Sequence, residues 1–198
     1  MSTTSLALFD FDGTLTCKDS LADFIVYAVG RPRMILGACR LAPHLAAYTL
    51  KFLDNGQAKQ SVLAHFFGGW RAEHLRSLGA AYALHCLPHI LRPQGVDRIK
   101  WHLRKDHEVV IVSASPEIWL QGWTEDWQVG LVGTKLEEQE GRITGKYKGK
   151  NCHGEEKVRR VKARYDLEQY NTIYAYGDTQ GDHPMLALAD EAFYKPFR

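Results

Sequence analysis

Apolar residues along the chain follow two patterns. Residues 5–9 (SLALF), 108–113 (EVVIVS) and 172–176 (TIYAY) are short, nearly continuous apolar runs and read as buried strands. Between the first two runs the period is helical. Ser20, with Asp23 three residues later, predicts a capping box. Leu21, Phe24, Ile25, Ala28 and Val29 then form one helix face, ended by Gly30 and Pro32. Residues 34–53, 57–67 and 72–87 continue helically, broken at Asn55-Gly56, Gly68-Gly69 and Pro88. No strand is predicted between about 18 and 88.

Beyond Pro88, strands and helices alternate. A helix is predicted over 93–107, and Ser115-Pro116-Glu117 reads as the N-terminus of another, with Ser115 as its N-cap. Residues 131–138 and 142–147 flank Glu140-Gly141 as a hairpin. Helices follow over 155–165 and 182–189, on either side of the last apolar run. Such alternation predicts an α/β fold with a Rossmann-like parallel sheet covered on both faces. Residues 1–17 and 89–198 would form that core, and 18–88 an inserted all-helical cap.

With 198 residues, 45% hydrophobic and 24% charged, the chain has ordinary globular usage. A net charge of +2 argues against a dedicated nucleic-acid binder. Cys17, Cys39, Cys86 and Cys152 are scattered, as in a cytoplasmic protein with reduced thiols. Cys152-His153 has no second ligand pair at zinc-finger spacing. The N-terminal MSTTSLALFD lacks the basic flank and long apolar run of a signal peptide. Residues 34–53 are apolar over the length of a membrane span, but Arg40, Pro43, His44 and Lys51 interrupt them. A helix buried against the rest of the cap, kinked at Pro43, is the expected form; an interfacial helix is the alternative.

Chemistry-bearing residues follow the predicted strands, where open α/β sheets bind ligands. Asp10-Phe11-Asp12-Gly13-Thr14 places two carboxylates beside a glycine turn, although Asp and Gly also make ordinary turns. Ser113 ends the second apolar run and can hold a phosphate oxygen. Lys157 offers a point charge for phosphate, or a solvated helix lysine. Asp178 and Asp182 suit a hard cation such as Mg²⁺, or Asp182 simply caps the last helix.

In this order the features resemble the haloacid dehalogenase (HAD) superfamily of phosphotransferases over residues 9–186. D-F-D-G-T-L at residues 10–15 matches its first motif, and Ser113, Lys157 and Asp178 with Asp182 match the other three. The early helical insertion and the stretches VGTKLEEQEGRITG and CHGEEKV are similar to the phosphoserine phosphatase-like branch. The resemblance implies that Asp10 is the nucleophile and Asp12 the acid and base. Asp10, Asp178 and the Asp12 carbonyl would hold Mg²⁺, with Asp182 behind them. Ser113 and Lys157 would neutralise the phosphoryl group, with Lys148 and Lys150 as neighbouring candidates for the lysine. Thr14, Asp19 and Ala114 would line the substrate site.

Specificity departs from phosphoserine phosphatases. Asp19 stands near the glutamate that holds their substrate's ammonium, Ser113-Ala114-Ser115 replaces Ser-Gly-Gly, and Gly181 replaces an asparagine. The expected substrate is a small phosphorylated metabolite, of a phosphoserine-like kind. The 34–53 segment, Ser-x-Ser-Pro and G-D-x-x-x-D-x-P-x-L are also similar to phosphatidylglycerophosphatase C-type proteins, which act on a lipid head group at the membrane. Residues 142–164 carry nine Lys/Arg against two Glu. They read as a solvated face with Glu155–Arg159 and Glu156–Arg160 pairs, or as an attractor of anionic lipid. A phospho-receiver would place its aspartate on a later strand, and a non-catalytic phosphate binder would not need the whole set of catalytic groups.

Overall fold

The computed structural model describes residues 4–49 and 55–198. In chain order the elements begin with β1 (Leu6–Phe9), α1 (Ser20–Val29), α2 (Arg31–Thr49), α3 (Asn55–Phe67), α4 (Ala72–His85) and α5 (Pro93–Arg104). They continue with β2 (Glu108–Pro116), α6 (Gln121–Asp126), β3 (Gly130–Thr134), β4 (Leu136–Gln139) and β5 (Arg142–Tyr147). The chain closes with α7 (Glu155–Arg164), β6 (Ile173–Gly177), α8 (His183–Leu186) and β7 (Glu191–Tyr194).

Five parallel strands form one sheet in the order β3-β2-β1-β6-β7, with Leu6 opposite both Glu108 and Ile173. The two-residue period of a strand sorts side chains between the two faces. Ala7, Phe9, Val109 and Ile111 join a core with Phe24, Phe67, Leu75 and Trp119. Leu6, Leu8, Val110 and Val112 join a second core with Val161 and Met185. Both faces are therefore covered, which is why β1 can be apolar at every position.

Several boundaries differ from the sequence pattern. The run 131–138 is not one hairpin arm: β3 joins the parallel sheet, and only β4 pairs with β5. At the break Thr134 is held on the parallel sheet, its Oγ1 lying 3.0 Å from the Ala114 carbonyl and 3.0 Å from Asn151 Oδ1. The hairpin turn does fall at Glu140-Gly141, where positive φ at both residues (49° and 73°) matches strand twist. The strand β7 was not anticipated. At α1 the N-cap is Asp19, accepting from the Ala22 N–H at 3.0 Å, and not Ser20. Ser115 is not an N-cap either, because β2 runs on to Pro116.

The expectation of a mostly buried second helix is also corrected. In α2 only Gly37 and Leu41 are buried between 31 and 43, whereas Ile35 is 61% exposed and Leu36 53%. The reason is geometric: α2 meets α3 along one side, where a Cβ on Gly37 would lie 2.4 Å from the Phe66 ring. Pro43 lies within the helix, and residues 50–53 of the apolar segment lie outside the described residues. Among the described residues no helix is long and apolar enough to cross a membrane.

Most basic residues of the stretch are exposed, but the arginines of α7 are engaged by the fold. Glu156 holds both Arg159 and Arg160, at 2.7 and 2.8 Å, so Arg159 pairs with Glu156 and not with Glu155. Arg160 also donates to the Gly133 carbonyl, and Arg164 to the Leu131 carbonyl at 2.6 Å. Glu117 takes the Gly133 N–H at 2.9 Å.

The hairpin contacts α3 through Gly145, at φ 85°, where a Cβ would stand 2.2 Å from the Ala64 Cα. Gly145→Ala is expected to cost about 2–6 kcal/mol, combining backbone strain with overpacking. Gly141→Ala meets no atom within 4 Å and isolates the strain alone. Urea unfolding midpoints of the two variants should differ clearly; equal midpoints would mean that the Ala64 contact yields freely.

Candidate active site

The carboxyl ends of β1, β2 and β6 converge, and the polar residues that follow them meet there. Asp10 continues the β1 ladder through its N–H to the Tyr176 carbonyl at 2.9 Å, while Phe11 turns into the core. Gly13 has φ 84°, and a Cβ there would lie 2.6 Å from Asp178 Oδ2. Only glycine both permits this turn and leaves that space free. Thr14 Oγ1 lies 2.8 Å from Asp10 Oδ2 and 3.1 Å from Asp178 Oδ1, so its single proton bridges the two carboxylates.

Lys157, in the first turn of α7, is 1% exposed. Its Nζ lies 2.6 Å from Asp10 Oδ1 and 2.7 Å from Asp182 Oδ1. This residue, and neither Lys148 nor Lys150, occupies the site. Burial pushes the Asp10 carboxyl up to about 7, with Lys157 opposing and Asp182 reinforcing the rise. Burial alone would lower the lysine, but the two carboxylates outweigh it and raise its pKa.

Asp182 is oriented by protein donors on both oxygens. Lys157 takes Oδ1, and the N–H groups of Asp178 and Thr179 and the Thr179 hydroxyl take Oδ2 at 3.2, 2.9 and 2.8 Å. It closes a capping box with Thr179 and makes no side-chain cap on α8. Against the opposing pull of burial, Lys157 holds its carboxyl below the usual range. Asp178 pairs with Arg198, a contact with no signal in the sequence pattern. Asp10, Asp178 and Asp182 each bring a carboxylate oxygen within 4.8 Å of the others.

Asp12 lies apart from this cluster. Its Oδ1 accepts the Ser20 N–H at 2.7 Å, and its Oδ2 accepts the Ser115 hydroxyl at 2.5 Å. Burial raises its carboxyl, as does Asp19, against the hydrogen bond from Ser115 and the charge of Lys59. Ser113 is 1% exposed, and its Oγ accepts the Ser115 N–H at 3.0 Å. That bond uses a lone pair and leaves the Ser113 proton to donate elsewhere. Ala114 is half-buried beside it. Asp19 is exposed, with its Oδ1 engaged in capping α1.

Sequence reasoning missed Ser115, Lys59 and the position of His153. A Cβ on Gly181 would lie 2.2 Å from His153 Nε2, so the imidazole fills the space where the asparagine of the resembled enzymes would project. His153 also lines a cleft of about 920 Å³ with Gln57, Gln60, Tyr147, Asn151 and Arg159, between α3 and the start of α7.

A doubly covered parallel sheet with acids at its strand ends, and a buried lysine reaching them from α7, is the layout of an α/β enzyme with its site at the carboxyl edge of the sheet. The haloacid dehalogenase-like hydrolase profile matches residues 7–187, and the chain belongs to that family. It is 37% identical over 195 residues to the protein CicA of Caulobacter vibrioides, covering 98% of this chain and 86% of CicA. A protein of unknown function from Bordetella pertussis Tohama I has the same fold at 25% identity and TM-score 0.78, over 95% of this chain and 88% of that one. A phosphoserine phosphatase, solved as a phospho-aspartyl intermediate analogue, matches at TM-score 0.64 and 18% identity, over 95% and 84% of the two chains.

Proposed function

We propose that the protein is a Mg²⁺-dependent phosphatase that cleaves a phosphomonoester through an aspartyl-phosphate on Asp10. The observation that carries the reading is the buried Lys157, bonded to Asp10 and Asp182 at the strand ends. One Asp10 oxygen attacks phosphorus, and the bond from phosphorus to the leaving oxygen breaks. Asp12 gives that oxygen a proton, then takes one from the water that cleaves the acyl phosphate. Ser113 and Lys157 offset charge on the phosphoryl oxygens.

The donor set fits a small hard cation: carboxylate oxygens within 4.8 Å of one another, with no side chain on Gly13 to fill the space at Asp178. Asp10, Asp178 and the Asp12 carbonyl would hold it, with Asp182, whose Oδ2 alone takes three protein donors, orienting the site from behind. Mg²⁺ would supply charge neutralisation at the phosphoryl group. Residues 18–88 act as the cap over a core of 1–17 and 89–198, and Thr14 and Ala114 line the phosphoryl side of the site. Asp19 faces the leaving group only if its cap on α1 yields.

The substrate is a small phosphorylated metabolite. A second reading, a lipid-borne phosphomonoester at a membrane surface, is favoured by one feature: exposed Ile35 and Leu36 stand among exposed Arg31, Arg33 and Arg40 on α2.

Turnover of a chromogenic phosphate ester with Mg²⁺, abolished by EDTA, is the expected result. Asp178→Ala removes an anionic ligand, so the Mg²⁺ concentration for half activity should rise by about tenfold or more. An unchanged metal dependence would displace the cation from this cluster. Among phosphorylated substrates, faster turnover in anionic vesicles than in solution would select the lipid reading.

A further inference from the structure

We propose that Ser115 is a positioning residue that aims Asp12 at the leaving group, through a buried hydrogen-bond relay from Trp119 and Ser20. The inference rests on the phosphatase reading above. Four atoms form the relay. The Trp119 indole N–H lies 3.3 Å from Ser20 Oγ, that hydroxyl 3.1 Å from Ser115 Oγ, and Ser115 Oγ 2.5 Å from Asp12 Oδ2. Ser20, Ser115 and Trp119 are all 0% exposed.

The chemistry of the ends fixes the direction. Indole nitrogen can only donate, and Asp12 Oδ2 accepts whenever the proton that the acid carries is not on that oxygen. Each hydroxyl between them accepts from the Trp119 side and passes its own proton toward Asp12. The Trp119 ring is itself held by stacking on Phe24, with centroids 4.7 Å apart and planes at 21°. The Ser20 N–H on the other oxygen then leaves the carboxylate little freedom to rotate.

A hydroxyl is required at residue 115 for this, because Ser115 Oγ is the donor to Asp12 Oδ2, and the Ser115 N–H bonded to Ser113 Oγ at 3.0 Å ties the two serines together where the β2–β3 register shifts between Val112 and Pro116. Glycine or alanine there would leave Asp12 Oδ2 without its donor. Asp12 would still be present but no longer held in line with the leaving oxygen. The loss should therefore depend on how much help the leaving group needs.

Ser115→Ala is expected to lower turnover of an alkyl phosphate by about 10–100-fold, and of p-nitrophenyl phosphate by less than about threefold. In an Asp12→Asn background the same change should add nothing. Equal losses on the two esters, or additive losses in the double variant, would overturn the proposal. Thermal unfolding checks that each variant is folded. Should Ser115→Ala fail to fold, Ser20→Ala and Trp119→Phe break the relay one and two bonds further back. They should show the same bias toward alkyl esters; unbiased losses would sink the relay. Wild-type protein that hydrolyses neither ester with Mg²⁺ would remove the phosphatase reading itself.

Discussion

Asp10→Asn is expected to reduce turnover by about 10⁴-fold or more while the protein stays folded. Asparagine keeps the volume but cannot attack phosphorus, so no acyl phosphate forms. Folding should tolerate the change, because burial already disfavours the charge of Asp10 and raises its carboxyl to about 7. Lys157 would keep Asp182 at 2.7 Å as its counter-charge. Turnover and thermal unfolding measured on one preparation check both halves of the expectation. Activity within tenfold of wild type would remove Asp10 from the nucleophile role.

Lys157→Met should damage both activity and stability. It removes the cation bonded to both Asp10 and Asp182 and leaves two carboxylates facing each other in a buried site. Breaking such a pair costs about 3–5 kcal/mol, and losing a charge aimed at the phosphoryl group costs about 10²–10³-fold in rate. The pH dependence has a definite sign. The Asp10 pKa is already raised above its unfolded value of 3.8 by burial, and losing Lys157 raises it further. The folded state then binds more protons than the unfolded state, so stability falls as pH rises from about 4 through neutrality. Chelated variant protein should therefore melt higher at pH 5 than at pH 8, with a steeper slope than wild type. Equal slopes would show that Lys157 does not set the charge balance of Asp10.

How much of this was legible beforehand depended on the range of the interaction involved. The short apolar runs marked β1, β2 and β6, because strands buried on both faces need apolar residues at successive positions. Asp10, Asp12, Ser113, Asp178 and Asp182 could be singled out because each ends or follows such a run, and Lys157 because of its place in the order of motifs that the chain resembles. Ser115 was misread because Ser-Pro-Glu carries the local signals of a helix start. In the fold Pro116 has φ −56° and ψ 132°, compatible with the end of a strand, and the strand extends three residues past Ser113. The register against β3 shifts between Val112 and Pro116, so simple two-residue alternation could not have placed Ser115. No local pattern could place Arg198 against Asp178 or Lys59 near Asp12, since those meetings depend on how distant segments pack. The exposure of Ile35 and Leu36 had the same origin: periodicity reports an apolar helix, not whether a neighbour is available to cover it.

The arginines of α7 have a consequence for how the molecule behaves at high concentration. β3 is a terminal strand of the sheet, the kind of edge onto which a foreign strand can add. Such an intruder would need the backbone groups that β3 turns outward. Arg164 and Arg160 already occupy the Leu131 and Gly133 carbonyls, and Glu117 occupies the Gly133 N–H. Charged side chains thus take the place of a neighbouring strand, and a row of guanidinium groups repels the same row on another copy. Two arginines of a stretch that by charge count resembles an attractor of anions are placed to blunt the sheet edge against edge-to-edge aggregation.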